Sequence, residues 1–71
     1  MQIINKNNLV QEFDKHLQLP PKYYLQQDEN DPMKIYVCKR GLGMVNAYIL
    51  EHADFDEIFE VGKEILNDIY E

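Results

Sequence analysis

The final stretch of the chain, DFDEIFEVGKEILNDIYE over 54–71, reads as one amphipathic helix. Phe55, Ile58, Phe59, Ile65, Leu66 and Ile69 recur at the 3.6-residue period and give it a single apolar side. Asp54 and Glu57 are spaced as a capping box, and Ala53 and Ile58 as the hydrophobic staple that accompanies one. A helix in a chain this short draws most of its stability from packing, so its apolar side requires a cover.

The rest of the chain supplies that cover in short pieces. Leu9, Val10, Phe13 and Leu17 fall at helical spacing and predict a first helix from Asn8 to Gln18, with Asn8 and Gln11 as its capping box. Pro20 and Pro21 stop it, because proline cannot continue a helix and pushes the preceding residue to extended geometry. Three runs then read as strands: Lys22 to Gln27, Met33 to Lys39 and Gly43 to Glu51. The acids of DENDP mark a turn between the first two. RGLG makes a hairpin of the last two, with Gly41 or Gly43 available for positive φ. The expectation is a single small α+β domain over 1–71: a two-layer α-β-β-β-α order, a three-stranded antiparallel sheet and both helices on one face. Gly62 sits within the apolar side of the last helix, where glycine costs about 0.5–1 kcal/mol relative to alanine. Its expected use is to bring the backbone close to the sheet.

A chain of 71 residues buries only roughly 60% of its unfolded surface, so its stability margin is thin. Cys38 is the one cysteine and can form no internal disulfide, which fits a reducing, cytoplasmic setting or, as the alternative, a bridge across a dimer. The longest clean apolar run, AYIL, is far short of a membrane span. MQIINKNNL lacks the basic region and long apolar stretch of a signal peptide.

Charge is distributed unevenly. Residues 1–53 carry six acids and six bases, whereas 54–71 carries seven carboxylates against Lys63 alone, which accounts for the net charge of −6. Nucleic acid and anionic membrane would both repel such a surface, so direct binding to either is not expected. Glu57, Glu60, Glu64, Asp68 and Glu71 are three or four residues apart and form a ridge opposite the apolar side. Like charges at i,i+4 (Glu60–Glu64, Glu64–Asp68) are each unfavourable by roughly 0.2–0.5 kcal/mol. Acids in the last turn also face the negative end of the helix dipole. Charge placed against the helix's own stability suggests use by a partner. The expected partner is a basic protein surface, one that itself binds nucleic acid, with the ridge as a sparse mimic of a phosphate backbone. A solvated, functionless face is the alternative.

Strict alternation sends Ile35 and Val37 to one sheet face with Val45, Ala47 and Ile49, beneath the helices. The opposite face then receives Tyr36, Cys38, Met44, Tyr48 and Leu50, with Tyr23 or Tyr24 joining them. Tyrosine and methionine are favoured at interfaces, so Tyr36, Met44 and Tyr48 are the second candidate site, for a homodimer or scaffold contact.

Catalysis has little support. His16 follows Glu12 by four residues and reads as that acid's surface partner. His52 with Asp54 and Asp56 meets no zinc or calcium spacing. Cys38 falls inside a strand with no base near it in sequence, and KRGLG lacks the helix that a phosphate cradle needs. The reading is a non-enzymatic protein without metal or cofactor.

The α-β-β-β-α order is similar to that of double-stranded-RNA-binding domains. That family grips phosphates with lysines at the start of its second helix. Here ADFDEIFE occupies the position, so no binding residue carries over. In size and charge the chain also resembles small acidic inhibitors of phages and mobile elements, anti-CRISPR and anti-restriction proteins among them. That likeness implies an inhibitor or regulator.

Overall fold

The computed structural model describes residues 6–70. A 3-10 turn, Lys6–Asn8, leads into α1, Leu9–His16; strands β1, Tyr23–Gln27, β2, Lys34–Lys39, and β3, Gly43–Ile49, follow, and α2 spans Phe55–Tyr70. The strands form one antiparallel sheet in the order β1-β2-β3, so the expected α+β, α-β-β-β-α architecture is present.

The first helix is shorter than its sequence period suggests. Asn8 belongs to the 3-10 turn, at φ −113° and ψ 17°, and makes no side-chain cap bond. The Asn8–Gln11 capping box is therefore absent, because the turn holds Asn8 out of the extended geometry of an N-cap. At the other end Leu17 is already extended, at φ −132° and ψ 124°. This places its side chain over Gly62, where an added Cβ would stand 3.2 Å from Leu17 Cδ1. The close approach at Gly62 is thus to the tail of α1 and not to the sheet.

Both turns are built as their residues require. Asp28 Oδ2 accepts the backbone N–H groups of Asn30 and Asp31 at 3.0 and 2.9 Å, and the Tyr36 hydroxyl donates to Asp28 Oδ1 at 2.6 Å. Asp31 Oδ1 takes the Met33 N–H at 3.1 Å. Between β2 and β3, Leu42 N–H bonds to the Lys39 carbonyl at 3.0 Å, and Gly41 and Gly43 have φ of +88° and +84°. Both glycines supply the left-handed conformation that a side chain would resist.

Strand β3 departs from strict alternation. Val37 pairs with Asn46 but Cys38 pairs with Met44, so Val45 is an extra, bulged residue. A bulge shifts the phase of everything beyond it. Ile35 is opposite Tyr48 and Tyr36 is opposite Ala47, which puts Tyr48 on the helix side and Ala47 on the open face. Ile49, opposite Lys34, shares that open face, and Leu50 is buried in the core. Four assignments made from alternation (Ala47, Tyr48, Ile49 and Leu50) are therefore reversed, while Val45 remains on the helix side.

The core between sheet and helices joins Leu9 and Phe13 of α1, Leu25, Ile35 and Val37 of the sheet, and Ile58, Val61 and Ile65 of α2. Ala53 and Ile58, the residues of the expected staple, are both buried in this core. Phe59, counted on the apolar side from its spacing, is half exposed and lies edge-on to His16 at 5.3 Å.

Candidate protein-binding surface

Helix α2 opens on a strong cap. Asp54 Oδ1 accepts the Glu57 N–H at 2.8 Å, as a capping box requires. The Glu57 carboxylate turns back further than that motif asks. It accepts the backbone N–H groups of Glu51, His52 and Ala53 at 2.6, 2.8 and 2.8 Å. Ala53, at φ +54°, turns the chain so that these three consecutive donors converge. Burial pushes the Glu57 carboxyl upward, but the three N–H donors outweigh it and hold its pKa below the ordinary value. The resulting stability is fully present above the unfolded pKa, about 4.3, and disappears as pH falls through the lower folded value. We expect a thermal melt in Glu57→Gln to lose less between pH 5 and pH 3 than in the wild type. Equal losses would place the acid sensitivity elsewhere.

Glu57 is thus engaged by its own loop and does not belong to an outward ridge. Glu60 and Glu64 are exposed, Asp68 is exposed but tethered, and Glu71 lies outside the described residues. Asp68 Oδ2 receives the Tyr48 hydroxyl and, at 3.1 Å, the Asn46 amide. Burial, then the Asp68 and Glu64 carboxylates, raise the Tyr48 phenol well above its usual range, so it remains a donor. The acid missing from the sequence reading is Asp56. It is exposed, and Asp56, Glu60, Glu64 and Asp68 stand at successive i+4 positions, a row that winds about 120° around α2 at 3.6 residues per turn and ends at Asp68 beside β3. Four-residue spacing counted back from Asp68 carries that signal.

No cation neutralises this row among the described residues. The ion pairs there are Lys15–Glu12 at 3.4 Å, His16–Glu12 at 3.8 Å and His52–Glu51 at 3.8 Å, none of them on the row. Lys63 is exposed and within ion-pair distance of no acid among the described residues. His52 is occupied with Glu51 and Asp54 with the helix cap, so neither is free for the grouping considered from sequence.

The second candidate site does not assemble as expected. Tyr36 and Met44 lie on the open sheet face, whereas Tyr48 lies on the helix side, bonded to Asp68. In its place the open face gathers Tyr24, Met44 and Ile49, exposed by 43%, 61% and 66%, with Leu42 at the hairpin tip. Cys38 is buried on that same face, its Sγ 3.9 Å from Gln26 Oε1. The free edge of β3 is blunted. Its bulge breaks the ladder, and Asn46 Oδ1 takes the Ala47 N–H at 2.8 Å. No helix among the described residues is long and apolar enough to cross a membrane. Compared with known proteins, the chain matches no family model, no curated protein and no solved structure.

Proposed function

We propose that this chain is a non-enzymatic binding module that presents Asp56, Glu60, Glu64 and Asp68 of α2 to a basic surface of another protein. By occupying a surface that would otherwise hold nucleic acid, it inhibits or regulates that partner, in the manner of the small acidic phage inhibitors it resembles. The supporting observation is the i,i+4 row of four exposed carboxylates with no ion-paired cation among the described residues. The row extends about 18 Å at 1.5 Å per residue, with a charge roughly every 6 Å. DNA carries one per ~3.4 Å of each strand, so the row is a diluted version of that pattern. Its three like-charge i,i+4 contacts cost the helix about 0.6–1.5 kcal/mol before solvent and salt reduce the figure. Complementary charge contributes association rate and partner choice more than affinity, and its effect falls with ionic strength.

The test is capture from lysate of the source cells on immobilised protein, eluted by a salt gradient. Wild type is expected to retain proteins with basic surfaces, and Glu60→Lys with Glu64→Lys to lose them at every salt concentration. The same proteins held equally by both would overturn the proposal. Asp68 is left unchanged because Tyr48 and Asn46 depend on it.

A second reading, self-association through the open sheet face, is favoured by the exposure of Met44, Ile49 and Leu42. Sedimentation at micromolar concentration should then show a dimer that Met44→Glu with Ile49→Lys dissociates. A monomer for the unmodified chain removes this reading.

A further inference from the structure

Between β3 and the last turns of α2 lies a cleft of about 170 Å³. Val37, Ile65 and Ile69 make it apolar, and the bulged Val45 forms part of its rim. Cavities of about 150 Å³ hold a benzene ring, so this one takes a single side chain and no larger ligand. Its polar residues are concentrated in one cluster. Asn46 Oδ1 is held by the Ala47 N–H, which orients the amide nitrogen onto the Tyr48 hydroxyl at 3.0 Å and Asp68 Oδ2 at 3.1 Å. Tyr48 donates to the same oxygen. The carboxylate is therefore clamped through Oδ2, while Oδ1 accepts no hydrogen bond from any described residue. Glu64 lies close enough to act electrostatically on Tyr48, which adds a second negative charge at this end. Lys39 is drawn over the ring of Tyr23, which also lines the cleft, at 5.4 Å, and no described cation forms an ion pair with Asp68.

An apolar slot with a fixed, half-used carboxylate at its mouth has the character of a receptor for a long, amphipathic, cationic side chain. We infer that the cleft between β3 and α2 receives one arginine side chain of the partner protein. Its methylenes would lie along Val45 and Ile69, and its guanidinium would bond to Asp68 Oδ1. This inference rests on the proposed basic partner and adds to it a single anchoring contact at the C-terminal end of the acidic row. Arginine suits the mouth better than lysine because its planar fork can engage Asp68 and the Tyr48 oxygen together and is more weakly hydrated.

The experiment is an amide-resolved NMR titration of the full chain with acetyl-arginine amide, acetyl-lysine amide and acetyl-norleucine amide. Arginine amide is expected to shift Val45, Asn46, Tyr48, Asp68 and Ile69 selectively, lysine amide the same residues more weakly, and norleucine amide none. Asp68→Asn preserves an acceptor for Tyr48 and should weaken the arginine response at least tenfold. Should that variant fail to fold, Val45→Lys, which delivers an internal ammonium to the exposed rim, is expected to block the response equally. Shifts spread along Asp56 to Glu64, equal responses to all three amides, or an unchanged response in the variants would each overturn the inference. The amide tests the cleft alone, so its failure leaves salt-sensitive capture by Glu60 and Glu64 standing, and loss of that capture leaves the titration interpretable.

Discussion

Glu57→Ala is expected to remove about 2–4 kcal/mol of stability, seen as a lower urea midpoint with an unchanged slope. The carboxylate accepts three backbone N–H groups at 2.6–2.8 Å and so closes the loop between β3 and α2. A hydrogen bond to a charged group contributes roughly 1.5–3 kcal/mol, and three on one partly exposed carboxylate add up to less than their sum. A domain of 71 residues has only about 4–11 kcal/mol in total, at 0.05–0.15 per residue. The variant therefore stands near the edge of folding at 37 °C. Glu57→Gln, which retains one acceptor oxygen, should recover part of the loss. A midpoint within 0.5 kcal/mol of wild type would show that water satisfies those donors equally well.

The second large effect lies beside it. Ala53 holds φ +54° with its methyl buried in the core. Left-handed geometry costs an alanine about 1–2 kcal/mol and a β-branched residue more, since the branch collides with the backbone. Ala53→Val is expected to destabilise by about 2–4 kcal/mol, from strain and from overfilling a closed site. Ala53→Gly relieves the backbone but loses about 0.8 kcal/mol of methyl burial, and should lie within about 1 kcal/mol of wild type. The two measurements belong together, by the same urea titration. If valine were tolerated as well as glycine, the loop would have another conformation available, and the convergence on Glu57 would not be required.

Much of this fold is legible because its signals are local. The Asp54 cap, the paired glycines of RGLG and the turn built on Asp28 each lie within a few residues of the groups they satisfy. What escaped depends on distant partners. Alternation along β3 reads correctly up to Val45, but the bulge arises from pairing with β2 and reverses Ala47, Tyr48, Ile49 and Leu50. The neighbour of Gly62 is Leu17, brought there by the early end of α1, and no spacing within α2 announces it. The acidic site was half legible. Glu60, Glu64 and Asp68 follow from period alone. Glu57 left the ridge because a side chain near a helix start has backbone donors within reach, and that competition outweighs a helical-wheel position. Asp56 was available at strict four-residue spacing. The Tyr48–Asp68 contact crosses from sheet to helix, so sequence placed its two members in two different sites.

Binding of a basic partner requires that Glu60 and Glu64 project from α2 without contributing to the fold. The urea midpoint of Glu60→Lys with Glu64→Lys at low ionic strength tests that most directly. Reversal turns the 56–60 and 64–68 contacts from repulsive to attractive, leaves the 60–64 pair like-charged, and places cations nearer the negative end of the helix dipole. The midpoint should therefore equal or exceed that of wild type, and the difference should shrink as salt is added. A clear fall in the midpoint would mean that these carboxylates already have partners within their own chain and are not held out for another protein.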